Sequence, residues 1–370
     1  MINGMKKPQI KNTSISSWLK VTGRPLLISG PCGAESREQL VTTAIALKKT
    51  GLVSAFRAGI WKPRTRLHSF EGHGEKALSW LKEVKEKTSM PVAVEVAKPE
   101  HIELCLKYDV DIVWIGARSV VNPFSIQELA EALTGTNIPV LIKNPVNPDI
   151  KLWVGALERI NQAGIDKLAA VHRGFNTWGE KQFRNTPLWE IPIELKRLFP
   201  QLPIICDPSH ICGNRKMIEK VAQHALDLNM DGLMIESHNN PQKALSDKNQ
   251  QITPLGLKKI IDKLQIRKAT DFEEETEETL SELRKQIDVA DYKILEAMAE
   301  RINIVRNIGK LKKSNKITIL QIERWNNIIH DRKKTGLSLG LNKEFLNELL
   351  HLIHKEAIYV QKQILNNNNK

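Results

Sequence analysis

Three cations and no acid lie within the ten-residue segment FRAGIWKPRT, which begins at residue 56. Arg57, Lys62 and Arg64 together are suited to hold a phosphate or a carboxylate. A guanidinium group donates paired hydrogen bonds to such oxygens, and an ammonium group adds a compact charge. A solvated loop would have the same composition, so the elements that position these residues have to decide between the two interpretations.

A second set of residues has the side chains that transition metals prefer. Cys32 offers a thiol, His210 an imidazole, and Glu236 and Asp247 offer carboxylates. A mixed set of this kind suits a borderline divalent ion such as Zn²⁺, Mn²⁺, Fe²⁺ or Co²⁺, and the sequence does not choose among them. No CxxC or HExxH spacing links these residues. They form a site only if the fold brings distant segments together.

Short apolar segments recur along the first 265 residues, and a segment with helical periodicity follows each of them. The predicted strands begin near residues 25, 53, 91, 111, 138, 167, 203 and 231. Strands that alternate with helices pair in parallel, and eight such units in about 250 residues predict a closed (β/α)₈ TIM barrel of the α/β class. A doubly wound open sheet is the alternative, but no GxGxxG motif follows the first strand.

The carboxyl ends of barrel strands meet at one rim, where active sites of such barrels lie. Each predicted strand places at this rim a residue whose side chain can bind an anion, bind a metal or transfer a proton. These residues are Cys32, Arg57 with Lys62 after it, Glu95, Arg118, Lys143, Arg173, His210 and Glu236. Any one of these alone is more often a solvated charge or a core residue, but eight on one rim are harder to dismiss. Like charges so close repel one another, so we expect a bound phosphate or carboxylate. The segment KPRT, residues 62–65, is interpreted as a phosphate clamp, in which Arg64 binds oxygens, Pro63 stiffens the loop and Thr65 adds a hydroxyl donor.

The bulk composition narrows the function classes. A formal charge of +13 often indicates nucleic-acid binding, but aromatic residues are only 5% and no zinc-finger or RNA-binding motif occurs. Small anionic substrates explain the excess equally well. No apolar stretch is long enough for a membrane span, and the amino terminus lacks an export signal. Four cysteines without framework spacing favour a reducing compartment, so we expect a cytoplasmic protein.

Several segments resemble 3-deoxy-D-arabino-heptulosonate 7-phosphate (DAHP) synthase of the type I-beta kind, over residues 20 to about 265. They are SGPCGAES, RAGIWKPRT, WIGARS, IKNP, HRGF, DPSH and ALSDKNQQITP. The resemblance implies condensation of phosphoenolpyruvate with erythrose 4-phosphate on a divalent metal. The related octulosonate 8-phosphate synthase is the alternative, but its clamp usually reads Ala-Asn-Arg-Ser where this chain has KPRT.

The same resemblance assigns roles to individual residues. It implies a metal on Cys32, His210, Glu236 and Asp247, and phosphoenolpyruvate on Arg57, Lys62, Arg118, Lys143 and Arg173. Erythrose 4-phosphate is expected on Lys62, Pro63, Arg64 and Thr65. Lys62 is the candidate proton donor to the forming alkoxide, and Glu95 is the candidate for positioning a water. With His210, these are the expected catalytic residues of a DAHP synthase barrel assigned to residues 1–265.

The sequence pattern changes after the barrel. Residues 266–279 are expected to form a linker, and residues 280–370 to form a small all-α domain. The acidic run EEETEE at 273–278 is either part of a solvated linker or the start of a long helix, which the helix dipole favours. A stripe of apolar residues predicts a first helix of about 30 residues: Leu283, Ile287, Ile294, Met298, Val305, Ile308 and Leu311. Two further helices are predicted at 321–336 and 342–365. A helical dimerisation module would have the same apolar pattern.

Polar residues of this domain resemble the all-helical chorismate mutase family over about 90 residues. The segments are LRKQID, LEAMAERINIVRNIGKLK and ERW, and the implied functional residues are Arg284, Arg301, Lys312, Arg324 and Gln361. Arg284 and Arg301 are roughly 25 Å apart along one helix, too far to grip one small dicarboxylate, so we expect Arg284 to enter a partner's site in a homodimer. Gln321 and Trp325 replace common acids of the family, and Ala357 replaces a common serine.

The two resemblances together imply a bifunctional enzyme of aromatic amino acid biosynthesis. Its partners are small anionic molecules: phosphoenolpyruvate, erythrose 4-phosphate and chorismate. The fusion itself suggests that the tail senses a pathway product, prephenate first among them, and inhibits the barrel. The alternative is an octulosonate synthase-like barrel with a non-catalytic dimerising or regulatory tail.

Overall fold

Eight parallel strands close into a barrel in the computed structural model, which describes residues 9–21, 23, 25–62, 69–179, 182–267 and 273–366, without the side chain of residue 274. The strands are β1 Leu26–Gly30, β2 Ala55–Ala58, β3 Val92–Val96, β4 Ile112–Ile115, β5 Val140–Lys143, β6 Leu168–His172, β7 Ile204–Cys206 and β8 Gly232–Glu236. Each strand pairs with the next, and β8 returns to β1 with Gly30 opposite Glu236. The predicted (β/α)₈ barrel is confirmed. The clamp residues Pro63, Arg64 and Thr65 lie outside the described residues.

Helices cover the outside of the sheet. They are α1 Arg37–Lys48, α2 Glu75–Thr88, α3 Pro99–Lys107, α4 Ala117–Val120, α5 Pro123–Leu133, α6 Ile150–Gln162, α7 Glu190–Leu198, α8 Pro208–Cys212, α9 Ile218–Asp227 and α10 Pro254–Ile261. Local sequence fixes where several of them begin. The Asp149 carboxylate accepts from the first backbone amides of α6, and Asp207 accepts from the His210 amide in α8. These are N-caps, which satisfy amides that have no partner within the helix.

Alternation along the strands decides which residues reach the barrel axis. One core cluster fills the interior and includes Ala55, Ala93, Leu141 and Met234, while a larger cluster lies between the sheet and the helices. Because side chains alternate across a strand, the residue two positions after an interior residue also points inward. Arg57, Glu95, Lys143 and Glu236 stand two positions after those four residues, at the carboxyl ends of their strands. The pattern that builds the core therefore also gathers the charged residues at one rim.

The remaining helices belong to a second compact unit, Thr270–Lys370, and the barrel belongs to the unit Met1–Ala269. They are α11 Glu274–Ser314, α12 Ile322–Ser338 and α13 Lys343–Asn366. The last helix packs on α11, where an added Cβ at Gly309 would lie 3.0 Å from Ile364 Cδ1. None of the described helices combines the length and apolar character needed to cross a membrane.

The first helix of this unit begins within the acidic run, as one of the two interpretations of that run predicts. Glu274 lies inside the predicted linker 266–279, and α11 has 41 residues in place of about 30. The acidic run explains the difference, because carboxylates in the first turns favour the positive end of the helix dipole. Much of the apolar stripe of α11 stays exposed on the single chain, with Ile287 at 59% and Leu311 at 62% of their surface.

Candidate active sites

The carboxyl ends of β1 and β8 bring three potential metal ligands together. Cys32, Glu236 and Asp247 offer a thiol and two carboxylates, and one ligand atom from each lies within 4.8 Å of the others. Two ligands on opposite sides of one ion, with bonds of about 2.0 to 2.3 Å, are separated by about that distance. The Cys32 thiol donates to Asp247 Oδ2 at 3.0 Å. The donor set and its spacing therefore fit a borderline divalent ion.

Lys62 contacts this cluster directly. Its Nζ lies 2.9 Å from Cys32 Sγ and 2.7 Å from the Cys32 carbonyl oxygen. Burial raises the pKa of the Cys32 thiol to about 12, and the Glu236 carboxylate adds to this effect, while Lys62 opposes it. A thiol becomes a metal ligand when it loses its proton, which a nearby cation favours.

Asp207 orients His210, the fourth ligand predicted from the sequence. His210 Nδ1 lies 2.8 Å from Asp207 Oδ2, and its Nε2 lies 3.7 Å from Glu236 Oε1. Although burial disfavours its charge, the neighbouring His210 and Lys143 hold the pKa of Asp207 well below its usual range. Metal-bound histidines commonly have a carboxylate on the nitrogen that faces away from the metal. His210 has that arrangement, although its ring lies at the edge of the three-residue cluster.

Internal carboxylates neutralise part of the positive charge at the rim. Arg57 Nη1 lies 3.1 Å from Glu236 Oε1, and Lys143 Nζ lies 2.8 Å from Asp207 Oδ2, with all four side chains buried. The expectation that the rim cations need an external anion therefore applies less to these two. Arg173 differs, because burial lowers its pKa to about 10 even though Asp207 opposes the shift. An anion placed beside Arg173 would restore the stability of its charged form.

A close backbone approach fixes Glu95 at the end of β3. An added Cβ at Gly116 would lie 2.1 Å from Glu95 Oε1. Only glycine leaves room for the carboxylate in this position, since real Cβ atoms do not approach an oxygen so closely. The backbone of Gly116 thus forms one wall of the place that Glu95 occupies.

A cavity of about 130 Å³ opens beside the ligand cluster. Seven residues predicted from the sequence line it: Lys62, Glu95, Arg118, Lys143, Arg173, His210 and Asp247. Arg57 lies buried against Glu236, and its guanidinium carbon is 4.8 Å from the centre of the Trp114 ring. The geometry is that of a small polar chamber with cations on its walls and potential metal ligands at one side.

A separate cavity of about 490 Å³ lies within the helical unit. Its wall contains Arg301, Lys312, Arg324 and Gln361, four of the five residues predicted there. Arg284 is exposed and is absent from the residues that line this cavity. Because α11 is continuous from Glu274 to Ser314, Arg284 and Arg301 do lie on one helix, about 25 Å apart.

Two polar side chains of this second cavity have hydrogen-bonding atoms that no described residue satisfies. Arg301 Nη1 and Gln361 Oε1 are buried and make no hydrogen bond to any residue that the structure describes. Burial and the nearby Arg332 lower the pKa of Arg301, and burial lowers that of Lys312. Lys312 Nζ is held by the Ile319 carbonyl oxygen at 2.6 Å. Trp325, where an acid was expected, stacks on His354 with ring centres 3.5 Å apart.

Comparison with known families decides what the barrel is. Residues 13–271 match the model of the family described as the DAHP synthetase I family. The chain belongs to that family. Residues 283–362 match the chorismate mutase type II model, so the helical unit carries a domain of that type. A DAHP synthetase I barrel is thus joined to a mutase-type domain in one chain.

Relatives of the DAHP synthetase I barrel include two kinds of aldolase. A phospho-2-dehydro-3-deoxyheptonate aldolase of Thermotoga maritima is 37% identical over 227 residues, which span 61% of this chain and 64% of that protein. A 2-dehydro-3-deoxyphosphooctonate aldolase of Desulfotalea psychrophila is 29% identical over 66% of this chain and 90% of its own length. The crystal structure of the Thermotoga maritima DAHP synthase superposes with a TM-score of 0.58 at 34% identity, covering 64% of this chain and 67% of that one.

Two residues of the DAHP synthetase I site were missed in the sequence. Asp207 directly follows β7 and lies two positions after Ile205, which points into the barrel. The strand-end pattern therefore predicts that Asp207 also points inward. From the sequence, His210 was named for that strand instead. Arg184 lies between β6 and α7, pairs with Asp247, and lines the barrel cavity. No strand end marks Arg184, because it comes eleven residues after Arg173 in an irregular segment.

Proposed function

We propose that the barrel condenses phosphoenolpyruvate with erythrose 4-phosphate to give DAHP and phosphate, and that the helical unit converts chorismate to prephenate. The observation that carries the first activity is the cluster of Cys32, Glu236 and Asp247 beside a chamber lined by cations. The second rests on the cavity that Arg301, Lys312, Arg324 and Gln361 line.

Cations of the chamber hold the enol phosphate. Arg118, Lys143 and Arg173 line its wall, so a substrate with a carboxylate and a phosphate meets donors on more than one side. Arg57, the fifth cation expected to bind phosphoenolpyruvate, lies buried and donates to Glu236 Oε1 at 3.1 Å. Holding the nucleophilic carbon against the aldehyde of the second substrate converts a bimolecular reaction into a step within one complex.

Two residues move or hold protons during the condensation. Lys62 supplies the proton for the alkoxide that forms from the aldehyde, because its ammonium group lies beside the ligand cluster where the aldehyde oxygen is expected. Glu95, at the carboxyl end of β3, orients the water that adds to the carbon bearing the phosphate. One proton of that water restores the Lys62 ammonium group. The other is lost as the new hydroxyl becomes the keto group of the product, the carbon–oxygen bond to phosphate breaks, and inorganic phosphate leaves with that proton.

Cys32, Glu236 and Asp247, with His210 beside them, would hold the divalent ion. Such an ion, when bound, supplies Lewis-acid polarisation of the aldehyde oxygen. The mixed donor set and its spacing within 4.8 Å support the assignment.

The rearrangement of chorismate is pericyclic, so the site has to hold the substrate in its reactive conformation and stabilise the developing charge. Arg301 and Arg324 bind its carboxylates, and Lys312 and Gln361 face the ether oxygen, where negative charge develops. Gln321, Trp325 and Ala357 provide no carboxylate or hydroxyl, so recognition of the substrate hydroxyl is expected to be weaker than recognition of its carboxylates.

Replacing Gly116 with alanine is expected to lower the rate of catalysis and to leave the stability of the fold nearly unchanged. The added Cβ would displace Glu95 Oε1, which lies at the mobile end of a side chain, so the fold should tolerate the change. A carboxylate moved by about 1 Å lowers a reaction rate by up to about 10²-fold. We expect Gly116→Ala to lower kcat for DAHP formation by about that factor, measured by phosphate release, with a melting temperature close to that of the unmodified protein.

Gly155→Ala is the matched control for this change. Gly155 lies within α6, and nothing lies within 4 Å of an added Cβ there. Its kcat should be unchanged. A Gly116→Ala protein with full activity would remove Glu95 from the proposed mechanism.

The exposed apolar stripe of α11 supports a homodimer through the helical unit. Such a stripe is rarely left in water by a stable protein. In that dimer Arg284 of one chain completes the cavity that contains Arg301 of the other. Arg284→Ala and Arg301→Ala proteins should each lose mutase turnover, and refolding them together should restore about a quarter of it, because half of the re-formed dimers contain one intact site. Absence of recovery would place Arg284 outside the catalytic site.

Regulation and location follow from the same assignments. Fusion of the two activities suggests that prephenate, bound by the helical unit, inhibits the barrel. Inhibition that persists after removal of residues 270–370 would contradict this. The four cysteines are free, as expected for a protein of the reducing cytoplasm.

Paired assays on the purified protein test the proposal. DAHP formation should require a divalent ion and stop with a chelator, while chorismate turnover should continue. Arabinose 5-phosphate, offered in place of erythrose 4-phosphate, tests the phosphooctonate activity named for the Desulfotalea relative. Faster condensation with arabinose 5-phosphate would overturn the assignment of the barrel.

A further inference from the structure

Arg184 lies in the segment between β6 and α7 and connects that segment to the candidate metal centre. From the sequence alone, the two were not linked. Its Nη1 donates to Asp247 Oδ1 at 2.9 Å and to Gln250 Oε1 at 2.6 Å. The aliphatic part of Arg184 packs on Gly213, where an added Cβ would lie only 2.6 Å from Arg184 Cβ. Gly213 has φ +61°, so glycine is favoured there both by backbone conformation and by this contact.

Gln250 extends the bridge to the second carboxylate. Its Nε2 donates to Glu236 Oε2 at 2.8 Å, and the side chain is 1% exposed. The amide can take only one orientation, because its oxygen accepts from Arg184 and its nitrogen donates to Glu236. One arginine thus holds Asp247 directly and Glu236 through Gln250.

Asp247 needs this support for a geometric reason. Its backbone has φ +50°, a left-handed conformation that costs a residue with a side chain free energy and persists only when its surroundings hold it. Its two oxygens have different partners, since Oδ2 accepts from the Cys32 thiol and Oδ1 accepts from Arg184. Arg184 therefore holds the Asp247 oxygen that does not face Cys32.

We propose that Arg184, acting with Gln250, is the positioning residue of the metal centre: it holds Asp247 and Glu236 in the arrangement that one divalent ion requires. This inference rests on the proposed metal-dependent function of the barrel. Arg184 acts through the ligands, so its loss should appear first in metal affinity. The substrate KM measured at saturating metal should change little.

The test is titration of the full-length protein with Co²⁺, followed by the absorption band that a Cys32 thiolate–cobalt bond produces. Residues that orient metal ligands typically contribute 10- to 100-fold to affinity. We expect Arg184→Gln and Gln250→Leu each to weaken Co²⁺ binding by about that range, and the double variant to lose less than the product of the two effects, because both act through one chain of contacts. Arg184→Lys, which keeps the charge but not the forked geometry, should fall between.

Arg197→Gln is the control, because it also removes one positive charge from the barrel. Arg197 lies on α7, is exposed, and pairs with Glu194 of the same helix. Its Co²⁺ affinity should equal that of the unmodified protein. Melting temperatures of the metal-free proteins show whether each variant folds, and Gln250→Leu, which removes no charge, tests the bridge if Arg184→Gln does not.

The outcomes separate the two levels of the proposal. Failure of the unmodified protein to bind Co²⁺ would remove the metal centre and the proposed condensation mechanism with it. Normal binding by the unmodified protein and equal binding by Arg184→Gln or Gln250→Leu would overturn only the positioning role. A raised KM for the sugar phosphate with unchanged Co²⁺ affinity would also overturn it, and would make Arg184 a substrate ligand.

Discussion

Replacing Lys312 with alanine is expected to lower the turnover of chorismate by about 10²- to 10³-fold, the typical effect of losing one preorganised donor at a developing negative charge. Lys312 lines the cavity of the helical unit, and the Ile319 carbonyl oxygen fixes its Nζ at 2.6 Å. No acid or base drives a pericyclic step, so this charge has no substitute in the reaction. DAHP formation by the same protein should be unchanged, which a coupled assay of both activities measures.

Lys310→Ala is the matched control, because Lys310 is an exposed lysine of the same helix. Its turnover should be normal. The pH profile gives an independent check: burial lowers the pKa of Lys312, so mutase activity should decline with rising pH before the ordinary lysine pKa of about 10.4 is reached. A Lys312→Ala protein that retains its rate would remove Lys312 from the proposed mutase mechanism.

Replacing Cys32 with alanine should abolish metal-dependent condensation, with at least about 100-fold loss of metal affinity, because even residues that only orient ligands contribute up to that much. Cys32 Sγ lies within 4.8 Å of ligand atoms of Glu236 and Asp247, and Lys62 contacts the same sulfur. Added metal at high concentration should restore the activity in part. Bound metal measured by elemental analysis, together with the rate of phosphate release, tests the expectation.

Cys105→Ala controls for loss of a buried sulfur. Cys105 lies on α3 in the outer core, and burial likewise raises its pKa to about 12. This variant is expected to lose some stability through the smaller side chain, with unchanged metal content. Equal metal content in Cys32→Ala and Cys105→Ala would contradict the assignment of Cys32 as a ligand.

The barrel was predictable because one physical pattern repeats eight times. Apolar segments alternate with helical ones. Because side chains alternate along each strand, Arg57, Glu95, Lys143 and Glu236 point to the same side as the interior core residues two positions earlier, and they lie at the rim. Knowledge of where strands end was therefore enough to name most of the residues that line the chamber. Asp207 obeys the same rule and was missed only because His210 lies three residues away.

Other features depend on contacts that no local pattern encodes. Arg184 comes from an irregular segment, and its role is visible only once Asp247 lies 2.9 Å from it across 63 residues of sequence. Pairing of Lys143 with Asp207 and of Arg57 with Glu236 was equally hidden, so the number of rim cations overstated their demand for an external anion. The early start of α11 reflects the energetics of a helix end, and the sequence left it open whether the acidic run begins a helix or only links the domains.

Pairing of β8 with β1 has a consequence for how the protein is made. Cys32 and Asp247 are separated by 215 positions, and they meet only after the last strand has joined the first. A nascent chain therefore lacks the proposed ion-binding pocket until nearly all of the barrel has left the ribosome. Because an ion that binds only the closed ring favours it by mass action, cells starved of that ion should accumulate chains with an open seam and degrade them faster.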